Sequence, residues 1–364
     1  MARALVLGVV GARPNFMKMA PVERVLRRHP RFRFGLVHTG QHYERMSDPF
    51  FRELGLPDPD HHLKVGSRPA AEQIAQVMVR LIPILERKRP ALVLVAGDVN
   101  STLAGALAAH KLGLRVGHIE AGLRSFDDTM PEELNRRLTD QVSDFCFTHS
   151  PEADANLRRE GVARSRIFRV GNLMIDTLFR LRERARRSKI LARLGLSPGG
   201  YALLTLHRPS NVDREDDLRR FSGLLERVGR ELPVVFPIHP RTRDRARRFG
   251  LWTRPSPALR LIDPLGYLDF IRLEEQARFV MTDSGGVQEE TTALGVPCLT
   301  LRENTERPVT ISRGTNLLVG TRPAGILGGV ERVLNGRSRP RRRPALWDGR
   351  AGERLVRVLE AATE

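Results

Sequence analysis

The residues able to do chemistry in this sequence fall into two sets. One is a set of carboxylates. Asp98 stands in Gly97-Asp98-Val99-Asn100-Ser101-Thr102, Glu120 in Glu120-Ala121-Gly122-Leu123-Arg124, and Glu132 and Glu133 follow Pro131, with Asp127 and Asp128 just before. Carboxylates gathered together raise one another's proton affinity, which suits general acid–base work. Arg13, Lys18 and Arg136 are cations placed to sit among them. Taken singly, each acid also has a structural reading: Asp98 as a helix N-cap, and Glu132 as a first-turn partner of a helix dipole. Their joint placement beyond predicted strands favours chemistry.

The second set suits an anion. In Asp283-Ser284-Gly285-Gly286-Val287-Gln288-Glu289-Glu290, the glycines admit close backbone approach and a helix start offers free N–H groups to a phosphate. Glu290, near the first turn of that helix, is placed to accept both hydroxyls of a ribose. The alternative is an ordinary strand-to-helix loop whose acids complement the dipole. There is no Walker lysine and the spacing is not the dinucleotide fingerprint, so a P-loop kinase or a NAD enzyme is disfavoured. Arg307, in Thr305-Glu306-Arg307-Pro308, offers the two parallel donors that match a diphosphate. His207 follows a predicted strand and is placed to support a departing phosphate oxygen, and His239 holds the matching place one strand later. His61-His62 lies in a proline- and aspartate-rich stretch and reads as surface loop, with no metal-ligand set. Cys146 and Cys298 read as buried thiols.

Elements that position these groups follow from short apolar runs. In the first half they are Ala4–Val10, Phe34–His38, Leu92–Ala96, Val116–Ile119, Phe145–Thr148 and Ile167–Val170. In the second they are Ala202–Leu206, Val234–Ile238, Leu259–Ile262, Phe279–Thr282, Pro297–Leu301 and Leu317–Val319. Near-continuous apolar runs of this length read as strands buried on both faces. Helical patterning between them, as in Pro21–Arg28, Ala71–Arg87 and Thr102–Leu112, gives an α/β fold with parallel sheets. The pattern occurs twice, separated by a basic helical stretch, Leu178–Leu194, and the break Ser197-Pro198-Gly199-Gly200. The expected organisation is two doubly wound, Rossmann-like domains, at residues 1–172 and 173–345, facing a cleft. A C-terminal helix in 346–364 would pack back on the first. Ligands of open α/β sheets bind beyond the carboxyl ends of strands, where the polar motifs cluster in both halves.

Composition narrows the class. The chain has 364 residues, 41% of them hydrophobic, enough for two cored domains. No apolar run approaches the length of a membrane span. Two cysteines argue against a disulfide framework or zinc module. The one apolar stretch near the N-terminus has no cleavage site after it, so a cytoplasmic location is expected. Net charge is +19, and only five of the 61 basic residues are lysines. The arginines are spread along the chain and aromatics are 5%, too few for base stacking, so nucleic-acid binding is not expected. The Arg337–Arg343 run reads as solvated linker.

Taken in order, these motifs resemble the bacterial non-hydrolysing UDP-N-acetylglucosamine 2-epimerases. The shared segments include Gly11-Ala12-Arg13-Pro14-Asn15-Phe16-Met17-Lys18, Thr39-Gly40-Gln41-His42, Gly97-Asp98, and His118-Ile119-Glu120-Ala121-Gly122-Leu123-Arg124. They continue with Pro131-Glu132-Glu133-Leu134-Asn135-Arg136, Gly171-Asn172, His207-Arg208, Asp283 to Glu290, and Thr305 to Pro308. The set is collinear over nearly the whole chain. The resemblance implies a glycosyltransferase-B-like fold, a homodimer, no cofactor and no metal. It also implies interconversion of UDP-N-acetylglucosamine and UDP-N-acetylmannosamine. The implied route eliminates UDP across C1–C2 to a 2-acetamidoglucal and adds it back after C2 is protonated on the other face. By motif position, Asp98, Glu120 and Glu132 are the acid–base candidates, with Lys18 tuning their charge and His207 at the leaving group. Arg13, Arg136, Ser284, Gly285, Gly286 and Arg307 would hold the diphosphate or sugar, Glu290 the ribose, and Phe270 the uracil. Departures are Pro209-Ser210 after His207-Arg208, Val309 after Pro308, and Glu44 near Gln41. The last puts in doubt an allosteric UDP-N-acetylglucosamine site to which Gln41, His42, Arg68, Arg208 and His239 would contribute. Rival expectations are an epimerase of a diacetamido uronate nucleotide, a hydrolysing 2-epimerase, and a glycosyltransferase.

Overall fold

The structure, a computed structural model, describes residues 3–41, 53–253, 256–337 and 342–362. It divides into two compact units. One comprises Met1–Arg180 with Ala345–Glu364, the other Leu181–Pro344. The division thus falls inside the helix Leu173–Arg186 rather than after residue 172. No helix among the described residues is long and apolar enough to cross a membrane.

The first unit holds a seven-stranded sheet: β1 (Ala4–Val10), β2 (Phe32–His38), β3 (His61–His62), β4 (Leu92–Ala96), β5 (Val116–Ile119), β6 (Phe145–Thr148) and β7 (Ile167–Arg169). The order is β3-β2-β1-β4-β5-β6-β7, every pair parallel. The second holds β8 (Ala202–Thr205), β9 (Val234–Pro237), β10 (Leu259–Ile262), β11 (Phe279–Thr282), β12 (Cys298–Thr300) and β13 (Asn316–Leu318). Its order, β10-β9-β8-β11-β12-β13, repeats the first sheet's path. In each, the order reverses between the first and fourth strands, β1/β4 and β8/β11, and such reversals leave a crevice at the strand ends.

Burial explains the pattern. β4 and β5 are buried throughout, so their runs show no alternation. The helix Asn100–Lys111 seats closely on β1 and β4 because its residues are small; a Cβ on Gly105 would come within 3.2 Å of Val95. In the second unit the helix Glu215–Glu231 buries Leu218, Phe221, Leu224, Leu225 and Val228 at helical spacing, each worth roughly 1.5–3 kcal/mol of burial. Glu215, Asp216 and Asp217 complement the dipole at its start. Cys146 and Cys298 are buried in β6 and β12, and burial pushes the Cys298 thiol up to about 12.

Three expectations change. His61-His62 is not loop but a two-residue edge strand paired with Val37 and His38; so short an edge needs no apolar pattern. The first helix runs Arg13–Arg27 rather than from Pro21. Pro14 lies in its first turn, where its missing N–H costs nothing, and Pro21 lies inside it. The Met17 carbonyl, which Pro21 cannot serve, accepts from the Thr177 hydroxyl at 2.7 Å. The basic stretch before the second unit is two helices, Leu173–Arg186 and Ile190–Arg193.

The C-terminal helix Ala351–Ala361 packs on Arg13–Arg27 within the first unit. Buried Asp176 accepts from Ala351 N at 3.1 Å and Gly352 N at 2.8 Å, tying down its first turn. Trp347, fully buried, donates to the His149 carbonyl at 2.9 Å. Part of the Arg337–Arg343 run lies outside the described residues.

Candidate active site

In the first unit the site is built where β1, β4 and β5 end. Asn15 straps the β1/β4 reversal: its Oδ1 accepts from Gly11 N and Ala12 N at 3.1 and 3.0 Å, and its Nδ2 donates to the Ala96 carbonyl at 2.6 Å. β4 and β5 are in register at Ala96 and Ile119, so Asp98 and Glu120 leave neighbouring strands together. Gly97 turns with φ +71°, and a Cβ there would stand 3.0 Å from Lys18 Nζ and 3.5 Å from Glu120 Oε2. Glu120 itself has φ +72°, a left-handed conformation that costs a non-glycine residue energy and marks functional turns.

Each carboxylate meets a cation. Buried Lys18 pairs with Glu120 through Nζ and Oε2. Arg136 places Nε and Nη2 at 3.0 and 2.6 Å from Asp98 Oδ2. Its Nη1 lies 2.7 Å from Glu133 Oε2, so the structure brings Arg136 onto two carboxylates of this unit. Glu133 also accepts from Ser125 N and Oγ, both at 2.9 Å. Burial alone would raise Glu133, but the Ser125 hydrogen bonds and Arg136 together hold it below the usual carboxyl range. Asn135 donates to the Asp98 carbonyl at 2.9 Å. Glu132, one residue earlier than Glu133, is exposed in the first turn of Pro131–Val142. Asp98 does not cap the helix that follows; the N-cap position is Val99.

Behind these turns, His118 is fully buried, its Nδ1 2.6 Å from Asp140 Oδ1 and its Nε2 2.8 Å from the Gly97 carbonyl. Asp140 also takes Gly122 N at 3.1 Å and Arg124 Nη2 at 2.7 Å. Burial opposes its ionisation, yet His118 and Arg124 keep Asp140 below the usual range. The network joins the Gly97 turn to the Glu120 turn. A cavity of about 10 Å³, room for one water, is lined by Lys18, Glu120, His149 and Asn172 among others. Arg13 is exposed at the start of its helix. Buried Gln41 accepts from Ser101 N and Oγ at 3.1 and 2.6 Å, and Arg68 donates to the Val65 carbonyl at 2.9 Å. His42 and Glu44 lie outside the described residues.

In the second unit the site is built at the ends of β8, β9, β11 and β12. Ser284 precedes the helix Gly285–Leu294, whose first residues are Gly285 and Gly286. A Cβ on Gly285 would lie 2.3 Å from Arg307 Nη1, so only glycine lets that guanidinium rest on the first turn. Arg307 reaches Glu289 with Nε at 3.0 Å and Glu306 with Nη1 at 2.8 Å. Arg208 and Arg302 also contact Glu306, at 3.1 and 2.7 Å. Burial, with Arg208 and Arg307 nearby, lowers Arg302 against the pull of Glu306. Three guanidinia thus meet two carboxylates beside a helix start, where positive charge exceeds negative by one.

His207 packs 5.8 Å, ring to ring, from His239, and its Nδ1 lies 3.0 Å from Asp283 Oδ1. His239 caps Pro240–Arg248, accepting from Arg241 N at 3.3 Å. Glu290 sits in the second turn of its helix rather than the first, buried, and accepts from the Tyr267 hydroxyl at 2.5 Å. Phe270 packs, half-buried, against the cluster containing Ile190, Tyr201 and Leu273. A surface hollow of about 460 Å³ among Arg241, Asp244, Arg245 and Arg248 contains none of these anchors.

The sequence alone gives Asn15, Asn135, Asp283 and Glu306 no role of their own, and it sets Glu133 among the carboxylates without preferring it to Glu132. Each lay inside a quoted motif, and burial decides which motif members turn inward.

Similarity to known proteins points the same way. A profile of the UDP-N-acetylglucosamine 2-epimerase family matches residues 24–360. A UDP-N-acetylglucosamine 2-epimerase of Methanocaldococcus jannaschii is 42% identical over 359 residues, 96% of this chain and 97% of the relative. A UDP-2,3-diacetamido-2,3-dideoxy-D-glucuronate 2-epimerase of Pseudomonas aeruginosa is 41% identical over 322 residues, 86% of this chain and 88% of the relative. The crystal structure of the M. jannaschii UDP-GlcNAc 2-epimerase, in complex with UDP-GlcNAc and UDP, superposes with a TM-score of 0.91 at 39% identity, covering 98% of this chain and 99% of that one. Two parallel α/β sheets with this path are those of the glycosyltransferase-B-like fold. With a profile spanning most of its length and relatives matched almost end to end, the chain belongs to the UDP-N-acetylglucosamine 2-epimerase family.

Proposed function

We propose that the chain interconverts UDP-N-acetylglucosamine and UDP-N-acetylmannosamine by inverting C2, keeping the sugar on UDP. The observation that carries the reading is the pair of carboxylates, Asp98 and Glu120, at adjoining strand ends, each held by its own cation. The C2 proton is weakly acidic, so it must be taken by a fixed base as the C1–O bond breaks. Inversion needs a second proton-handling group for the opposite face, and two separately oriented acids meet that need. Glu132, exposed near them, is the third candidate. The electron pair of the broken bond stays on the diphosphate. Ser284, Gly285, Gly286, Arg307 and Arg13 stabilise that charge, with His207 at the leaving oxygen. Glu290 binds the ribose, Phe270 lies at the base, and Arg136 acts by orienting Asp98 rather than by holding phosphate. A homodimeric state and a cytoplasmic location belong to the same reading.

The test is incubation with UDP-N-acetylglucosamine in deuterated water. Deuterium at C2 of both epimers, still joined to UDP, is the expected result; free N-acetylmannosamine would show a hydrolysing enzyme. The P. aeruginosa relative supports a second reading, a UDP-linked diacetamido uronate as substrate. Turnover of that nucleotide alone would replace the first reading with the second.

A further inference from the structure

β8 and β11 run side by side in register, Thr205 opposite Thr282, so the loops carrying His207 and Asp283 leave the sheet together. Asp283 is fully buried, and its two oxygens share only the His207 N–H, which lies 3.2 Å from Oδ1. Oδ2 accepts from His207 N at 3.0 Å, Arg208 N at 2.8 Å and Asn211 Nδ2 at 3.1 Å. Oδ1 faces His207 Nδ1 at 3.0 Å. Burial opposes the charge on Asp283, but His207 and the two backbone N–H groups hold its carboxyl below the usual range. An ionised carboxylate only accepts, so Nδ1 of His207 must carry a hydrogen. That leaves Nε2 on the outer edge of a side chain that is 42% exposed. Beside the ring, among the described residues of this unit, stand Arg208, turned to the Asp283 carbonyl and Glu306, and His239.

We propose that Asp283 is a positioning residue that locks His207 as the Nδ1–H tautomer and so makes Nε2 its proton-exchanging atom. The inference rests on the epimerase reading. As the C1–O bond breaks, its electron pair goes to the diphosphate oxygen and a carboxylate of the first unit takes the C2 proton. The ring enters this step as the imidazolium, with a hydrogen on each nitrogen; Nε2–H gives its proton to that oxygen, and the neutral Nδ1–H tautomer remains with a lone pair at Nε2. Re-addition returns the proton to Nε2.

Asp283→Asn tests this with little change of shape. Three donors converge on the Oδ2 position, so the amide oxygen takes that place and the NH2 group faces His207 Nδ1. Nδ1 must then accept, and the ring becomes a fixed Nε2–H tautomer unable to take up a proton there. The experiment is two-bond 1H–15N NMR on the full chain labelled at histidine, with His207→Gln to assign the signal, beside epimerase kinetics and a thermal melt. Expected are an Nδ1–H signal in wild type, an Nε2–H signal in Asp283→Asn, and turnover lowered about 10²-fold with KM within a few-fold. A wild-type Nε2–H tautomer overturns the proposal even if the variant does not fold. So does a flipped tautomer with turnover within threefold of wild type. A wild type inert toward UDP-N-acetylglucosamine whose tautomer still depends on Asp283 upholds the lock and refutes only the substrate.

Discussion

Replacing Asp98 by asparagine separates proton transfer from folding. Both Arg136 contacts fall on Oδ2, at 3.0 and 2.6 Å, whereas Oδ1 makes no hydrogen bond among the described residues. Arginine only donates, so the new amide oxygen goes to Arg136 and the NH2 group takes the Oδ1 position. A donor then stands where the base must accept. The cost to stability is small: a charge-assisted pair becomes a neutral hydrogen bond, roughly 1–2 kcal/mol, and Arg136 keeps Glu133 at 2.7 Å. The cost to turnover is that of a general base, about 10²–10⁴-fold, equivalent to about 3–5 kcal/mol in the barrier. Exchange of the C2 proton for deuterium, followed by 1H NMR, reads the step directly, and a melt on the same sample reads the fold. Exchange within tenfold of wild type in a variant that melts normally would remove Asp98 from the chemistry.

Gly97→Ala forces a side chain into φ +71° and sets a Cβ 3.0 Å from Lys18 Nζ. A loss of roughly 1–2 kcal/mol in urea unfolding is expected, with turnover down at least about tenfold as Lys18 shifts off Glu120. Arg307→Lys removes the fork that spans Glu289 and Glu306, and calorimetry should show UDP binding weakened about tenfold. Burial pushes the Asp176 carboxyl from 3.8 up to about 6, against the Gly352 and Ala351 N–H groups that favour its charge. Between those pH values the folded chain holds a proton that the unfolded chain has released, so this contribution is present at low pH and lost as pH rises. Wild type should therefore lose up to roughly 3 kcal/mol relative to Asp176→Asn between pH 4 and 7, measured by urea unfolding.

The sequence was most legible where burial is symmetrical. β1, β4, β5, β6 and β11 have the bounds their apolar runs suggested, because strands covered on both faces show as uninterrupted runs; β10 also keeps its bounds, though it is an edge strand in which only Leu259 is fully buried. β3 left no such mark, since two edge residues bury little. The nearness of Asp98 and Glu120 was also legible, as both follow neighbouring parallel strands. Which of Glu132 and Glu133 turns inward was not. Successive helical residues point about 100° apart, and only the burial of Asn135 and Arg136 on the same helix sets the phase that brings Glu133 inside and leaves Glu132 exposed. In sequence Asp283 reads as part of a phosphate loop because its partners, His207 and Asn211, lie more than 70 residues away in the chain.

The matching strand orders give these residues a common logic. In each unit the first and fourth strands flank the reversal, and their loops are the two that leave the sheet side by side there. In the first unit the chain after β1 places Arg13 at the start and Lys18 in the second turn of the helix Arg13–Arg27, and the loop after β4 delivers Asp98. In the second the loops deliver His207 after β8 and Asp283 after β11. Each therefore sets a cation or proton carrier after the first strand and a carboxylate after the fourth. In both carboxylates one oxygen is committed: Oδ2 of Asp98 to Arg136, and Oδ2 of Asp283 to two backbone N–H groups and Asn211. Pinning one oxygen fixes the direction of the other. What differs is the place of that second oxygen. Asp283 is wholly buried and, among the described residues, its Oδ1 meets a ring nitrogen and a backbone N–H of His207, so it acts through His207. The Asp98 side chain is 26% exposed, so its Oδ1 can meet a substrate. On the proposed reading, the same strand-end device is open to substrate as a proton-handling group in one unit and supports a proton carrier in the other. Burial of the second oxygen decides between the two.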